Sequence, residues 1–138
     1  MPDDLWDGRP LSRDEVERLA RDLTPEERRV ILLQGTEPPF CGGLEDHEAA
    51  GRYACRLCGL SLFRSVAKFH SGTGWPSFFE PVEQARVARV EDRSHGMRRT
   101  EIRCARCGGH LGHVFPDGPP PTHERHCVNS VSLVFVPE

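Results

Sequence analysis

With 138 residues, a net charge of −3 and ordinary apolar content, the chain is expected to fold as one domain around its own core. The mild acidity argues against nucleic acid as a partner, because such binders carry a basic excess or stripe. No apolar run approaches the length of a membrane span, and MPDDLWDGRP lacks a basic-then-apolar signal pattern, so no membrane partner and a cytoplasmic location are expected.

In chain order, residues 1–10 read as a flexible polar lead-in and 11–138 as the single domain. Ser12 and Glu15 have capping-box spacing and open a helix whose apolar stripe is Val16, Leu19, Ala20 and Leu23. Thr24, Pro25 and Glu27 repeat the signal for a second helix through Val30, Ile31 and Leu33, ending at Gly35. Residues 36–51 are punctuated by Pro and Gly and read as a loop. That loop holds Cys41, readable as a small buried filler or as a mobile surface thiol. Short strands are expected at 52–55, 60–63, 87–90, 99–103 and 131–136, with a Gly-rich, aromatic loop at 71–79.

Four of the six cysteines form two near-identical knuckles, Cys55-Arg56-Leu57-Cys58-Gly59 and Cys104-Ala105-Arg106-Cys107-Gly108. Two intervening residues let both thiolates face one ion, and the following glycine permits the tight turn around it. Together the knuckles make a closed tetrahedral site suited to structural zinc, with no open position for catalysis. The rival reading, a thioredoxin-like redox motif, fits poorly with two such pairs in one small domain. Most of a sheet is expected between Cys58 and Cys104.

Cys127 stands apart from the knuckles. Arg125 lies two residues away on a β-prone segment, so both side chains share a face and the cation favours thiolate. Asn129 can hydrogen-bond a partner or substrate there. His110 and His113 are able to supply protons near neutral pH, or alternatively to serve as structural residues or spare metal ligands. Spacing alone leaves the reactivity of Cys127 open.

Gly35-Thr36-Glu37-Pro38-Pro39-Phe40, Ser71-Gly72-Thr73-Gly74-Trp75-Pro76-Ser77-Phe78, Arg93-Ser94-His95-Gly96-Met97, His110 to Gly118 and Arg125 to Ser130 occur in order. On these motifs the chain resembles the methionine sulfoxide reductase B family over roughly residues 22–136, both knuckles included. The resemblance implies a mostly β fold of two antiparallel sheets, the β-tent arrangement, with N-terminal helices and a structural four-cysteine zinc site. It implies reduction of the R epimer of methionine sulfoxide in oxidised proteins or peptides. Cys127 would attack the sulfoxide sulfur and become a sulfenic acid. Arg125 would favour the thiolate, and His110 and His113 would bind and protonate the sulfoxide oxygen. Asp117 would be a carboxylate near that network, Asn129 a polar pocket residue, and Trp75 and Phe115 the aromatic surfaces receiving the substrate.

Two positions depart from the family pattern. Thr73 stands where many members have the resolving cysteine. Cys41 is therefore expected to attack the Cys127 sulfenic acid, giving a disulfide that thioredoxin reduces; a one-cysteine cycle with an external thiol is the alternative. His126 replaces a common tyrosine or phenylalanine, as a further proton donor or as packing. Two other classes stand against the enzyme: a non-catalytic β-tent binding module and a zinc-ribbon nucleic-acid binder. The set Trp75, His110, His113, Arg125 and Cys127 argues against the first, and the charge balance against the second.

Overall fold

The computed structural model describes residues 6–39 and 43–138, so Cys41 lies outside the described residues. Both capping boxes form. In α1 (Arg13–Ala20) the Glu15 N–H donates to Ser12 Oγ, and the Ser12 N–H donates to Glu15 Oε1. Thr24 and Glu27 make the same exchange at α2 (Pro25–Ile31), with Pro25 at the first helical position. The apolar stripe of α1 is narrower than expected: Ala20 is buried and Val16 and Leu23 pack against the core, but Leu19 is 43% exposed. The second helix also ends before Gly35. Gln34 takes the left-handed turn at φ 60°, and Leu33 points to solvent. Gly35 instead permits close approach, since a Cβ there would lie 2.7 Å from the Arg29 carbonyl oxygen.

Ahead of α1 the described chain meets the body of the protein at two points. Trp6 rests against the core, and the Leu11 N–H donates to the Arg106 carbonyl.

The remainder is β structure in two antiparallel sheets. The strands are β1 (Gly51–Cys55), β2 (Ser61–Arg64), β3 (Lys68–Phe69), β4 (Ser77–Phe78), β5 (Val87–Asp92), β6 (Arg99–Cys104), β7 (His110–Phe115), β8 (Arg125–Val128) and β9 (Leu133–Pro137). One sheet has the order β2-β1-β9, the other β3-β4-β8-β7-β6-β5. The final strand starts at Leu133 rather than Val131, because residues 130–132 form a tight turn closed by the Ser132 N–H on the Asn129 carbonyl. β7 carries two histidines and Gly112 in six residues, a composition that hides its strand character.

Both sheets contribute to one core. Phe63 of β2 stacks on Phe78 of β4 at 4.4 Å, and Tyr53 of β1 meets the same ring edge-on. Strand alternation then sorts the large sheet into two faces. Ile102, Val114, His126 and Val128 turn into the core. The other face carries Arg99 and Glu101 of β6, His113 and Phe115 of β7, and Arg125 and Cys127 of β8. His126 is thus a packing residue. It is fully buried, edge-on to Phe63, with Nδ1 3.2 Å from the Phe78 carbonyl oxygen.

Candidate active site and metal centre

The two knuckles are the β1–β2 and β6–β7 turns. Gly59 and Gly108 take φ values of 82° and 78°, and their N–H groups donate to the carbonyls of Cys55 and Cys104. The four sulfurs lie within 4.8 Å of one another, with Cys55 to Cys107 at 3.5 Å and Cys58 to Cys104 at 3.6 Å. A tetrahedron of sulfurs around one ion at about 2.3 Å has edges of about 3.8 Å, so the arrangement suits a single four-thiolate metal centre. The Gly109 N–H donates to Cys107 Sγ at 3.3 Å, and the Arg106 guanidinium reaches the Cys58 carbonyl, both offsetting negative charge on the sulfurs.

Cys127 opens into a separate cavity of about 250 Å³, the size of one side chain rather than of a large ligand. Thr73, Trp75, His113, Phe115 and Arg125 line it together with Cys127, and Thr36, Arg99 and Asn129 complete the wall. Two wider concavities, beside Arg56 and Phe135 and around Trp6 and Arg106, contain no cysteine or histidine among the described residues.

β-pairing fixes the central geometry. His113 is the cross-strand partner of Cys127, and Phe115 that of Arg125. Gly112 permits this register, since a Cβ there would fall 1.9 Å from the Cys127 carbonyl oxygen. On the other side Ser77 of β4 sits opposite Cys127. Trp75 is held by its indole N–H, which donates to the Glu37 carbonyl at 2.9 Å.

Arg125 shares the face of Cys127. It is clamped by Asp117 through two hydrogen bonds of 2.9 and 3.3 Å, and its guanidinium lies 4.4 Å above the Phe115 ring. Asp117 therefore acts on Arg125, which holds its carboxyl below the usual range. Burial pushes the Cys127 thiol above its ordinary value. The charge of Arg125 pulls it down without overcoming burial, and the Glu37 charge adds an upward push.

The two histidines occupy different settings. His113 borders the cavity, with Nε2 2.8 Å from Asp92 Oδ2. Asp92 also accepts the Ser94 N–H at 2.9 Å, and Ser94 together with His113 holds its carboxyl well below the usual range. Arg99 donates to the same Asp92 oxygen at 3.2 Å. His110 does not line the cavity. It stands edge-on behind His113 with ring centroids 5.7 Å apart, and its Nδ1 is 2.7 Å from buried Glu101, which Arg103 also binds. Burial lowers the pKa of His110, and Glu101 only partly opposes this.

Asn129 spends its side chain on the backbone. Its Oδ1 accepts the Glu37 N–H at 3.0 Å and its Nδ2 donates to the Leu111 carbonyl at 3.0 Å. Glu37 is itself buried, accepts the Val131 N–H on Oε1, and offers its carbonyl to Trp75. Asn129 thereby reaches the indole through one residue. Sequence reasoning missed Asp92, Arg99, Glu101 and this role of Glu37. Only the i, i+2 placement of charges at 99, 101 and 103 hinted at a polar face.

The family profile described as SelR domain matches residues 23–137. A peptide methionine sulfoxide reductase MsrB of Xylella fastidiosa (strain M23) is 60% identical over 132 residues, spanning 96% of this chain and 85% of the relative. The protein of the same description from Caulobacter vibrioides (strain NA1000 / CB15N) is 58% identical over 131 residues, with 95% and 82% covered. That from Thiobacillus denitrificans (strain ATCC 25259 / T1) is 53% identical over 131 residues, with 93% and 99% covered.

Proposed function

This chain belongs to the SelR-domain family as a methionine sulfoxide reductase of the MsrB type, and from that premise we propose that Cys127 reduces the R epimer of protein-bound methionine sulfoxide. The observation that carries the reading is the direct pairing of Cys127 with His113 on a face that opens between Trp75 and Phe115.

A sulfoxide becomes a good electrophile only as its oxygen takes a proton, so a thiolate needs an acid nearby. Cys127 attacks the sulfoxide sulfur, the S–O bond breaks, and the oxygen is transferred to Cys127 as methionine leaves. Cys127 ends as a sulfenic acid, and the sulfoxide has gained the two electrons that the cysteine lost. His113 stands where it can protonate that oxygen. Asp92 engages its Nε2, which leaves Nδ1 as the second ring nitrogen for proton transfer. His110 supports His113 from behind as a neutral ring. The Trp75 and Phe115 faces suit the S-methyl group and the aliphatic stem. The stereochemical preference follows from the side on which His113 lies relative to those rings.

Recycling uses Cys41. Its thiol attacks the sulfenic acid, water leaves, and the Cys41–Cys127 disulfide is reduced by thioredoxin. Cys55, Cys58, Cys104 and Cys107 would hold a zinc ion in a structural role: all four positions would be sulfur, leaving none open for the reaction. Among the described residues, no helix is long and apolar enough to cross a membrane.

Turnover of a methionine sulfoxide peptide, resolved by epimer, tests the assignment. The R form is consumed and the S form remains, and Cys127→Ser consumes neither. Cys41→Ser turns over with dithiothreitol but stalls with thioredoxin. Equal consumption of both epimers contradicts the proposed specificity, and full thioredoxin-supported turnover by Cys41→Ser removes Cys41 as resolver.

A further inference from the structure

Thr73 borders the cavity, yet it has no thiol with which to resolve a sulfenic acid. We propose that Thr73 is a catalytic residue whose hydroxyl donates a hydrogen bond to Cys127 Sγ and stabilises the thiolate, as the last member of a directed chain of hydroxyls starting at Ser77. The inference rests on the reading of Cys127 as the nucleophile and assigns the position that sequence comparison leaves without a role.

Backbone geometry puts the loop there. Ser77 of β4 pairs with Cys127 of β8, and the Val128 N–H donates to the Pro76 carbonyl at 3.0 Å. The end of the Gly-rich loop is thus pinned to the strand that carries the thiol. Gly72 and Gly74, at φ 78° and 93°, turn the preceding residues back over it.

Hydrogen counting gives the chain its direction. Ser77 Oγ is completely buried with its residue and lies 2.8 Å from Ser71 Oγ, closer than its other acceptor, the Trp75 carbonyl at 3.2 Å. Ser71 Oγ also accepts the Thr73 N–H at 3.3 Å. With both lone pairs engaged, Ser71 has its own hydrogen left to donate, and Thr73 Oγ1 lies 2.8 Å away. Thr73 Oγ1 receives that hydrogen and the Trp75 N–H at 3.5 Å, so its remaining function is to donate. Thr73 and Cys127 line the same small cavity, and the pairing of Ser77 with Cys127 anchors the loop beside the sulfur.

The other charged groups around the sulfur leave room for such a donor. Arg125 is the cation beside it, but Asp117 and the Phe115 ring already hold the guanidinium. Glu37 opposes the thiolate from the neighbouring loop. His113 faces it across β7, and Arg99 borders the cavity from β6 with its guanidinium on Asp92. A neutral hydroxyl on the sulfur favours the anion without adding a charge to the cavity that must receive a neutral side chain.

Alkylation of Cys127 by iodoacetamide, followed by mass spectrometry of its peptide across pH, tests this on the metal-loaded protein. Thr73→Val moves the midpoint of the thiolate reaction up by about one pH unit, making alkylation about tenfold slower near neutrality. Thr73→Ser keeps the hydroxyl and the original midpoint. A Thr73→Val midpoint equal to that of the unsubstituted protein, with metal content and melting temperature intact, overturns the proposal. If the valine disturbs the loop, Thr73→Ala removes the same donor without a branched side chain and must show the same upward shift. The readout is independent of the reductase assignment. A Thr73-dependent midpoint in a protein that releases no methionine would sink the assignment and leave the hydrogen bond standing.

Discussion

At Cys127 burial and charge act in opposite directions. Burial raises the pKa of the thiol, while the Arg125 charge lowers it, and burial prevails in the substrate-free protein. The pairing of Arg125 with Cys127 was readable from a two-residue spacing on a β-prone segment. The dominant effect was not readable, because burial depends on Glu37, Trp75 and the rest of the wall arriving from distant segments. The same limit hid Asp92, whose partner His113 is 21 residues away, and Glu37, whose partner Asn129 is 92 residues away. His126 shows what the structure adds. Its sequence position allowed a proton donor or packing, and its strand face settles on packing. Burial lowers its folded pKa below the ordinary 6.5, so the unfolded chain takes up a proton first as pH falls. The stability it contributes is complete above about pH 6.5 and is lost as pH drops from there toward the lower folded pKa. His110, lowered by burial in the same way, acts in the same window. Melting curves at pH 7.5 and pH 5 should therefore show a smaller acid loss in His126→Phe than in the unsubstituted protein; an equal loss would assign the acid sensitivity to other groups.

Among the elements, the β7–β8 pair does most to build the site. It sets His113 opposite Cys127 and Phe115 opposite Arg125. β8 was legible as a β-prone segment around Cys127, whereas β7 was not, because histidines and glycine obscure the period-two pattern. The helix starts were legible because capping boxes are local, but the end of α2 was not, since Gln34 rather than Gly35 makes the left-handed turn. Gly112 is the weak point of the pair. A methyl group there meets the Cys127 carbonyl, so Gly112→Ala must push the strands apart at Cys127. The expected result is a loss of about 2–4 kcal/mol of stability, roughly 10 °C in melting temperature, with kcat down about 100-fold. Unchanged kcat would show that the register at Gly112 does not set the position of the sulfur.

Across the whole molecule, the four cysteines connect the two sheets. Cys55 and Cys58 belong to the β1–β2 turn of the small sheet, and Cys104 and Cys107 to the β6–β7 turn of the large one. The knuckle spacing announced this centre in the sequence, and the wide gap between the pairs is filled by β2 to β6 as expected. That a single ion would join the two sheets was visible only once the topology was known. The SelR-domain match from 23 to 137 covers both turns and the cavity. Cys104→Ser should release the metal, measured as bound zinc per chain, and lower the melting temperature by roughly 10 °C or more. Retained stability after complete metal loss would show that the core alone holds the sheets together.

The most direct measurement is a single turnover. Fully reduced protein is mixed with excess peptide methionine sulfoxide, both epimers present and no reductant, and the methionine formed per chain is counted. The account predicts about one methionine per chain, all from the R epimer, and none from Cys127→Ser. A folded, metal-loaded protein that releases no methionine, or a Cys127→Ser variant that releases as much, would contradict it.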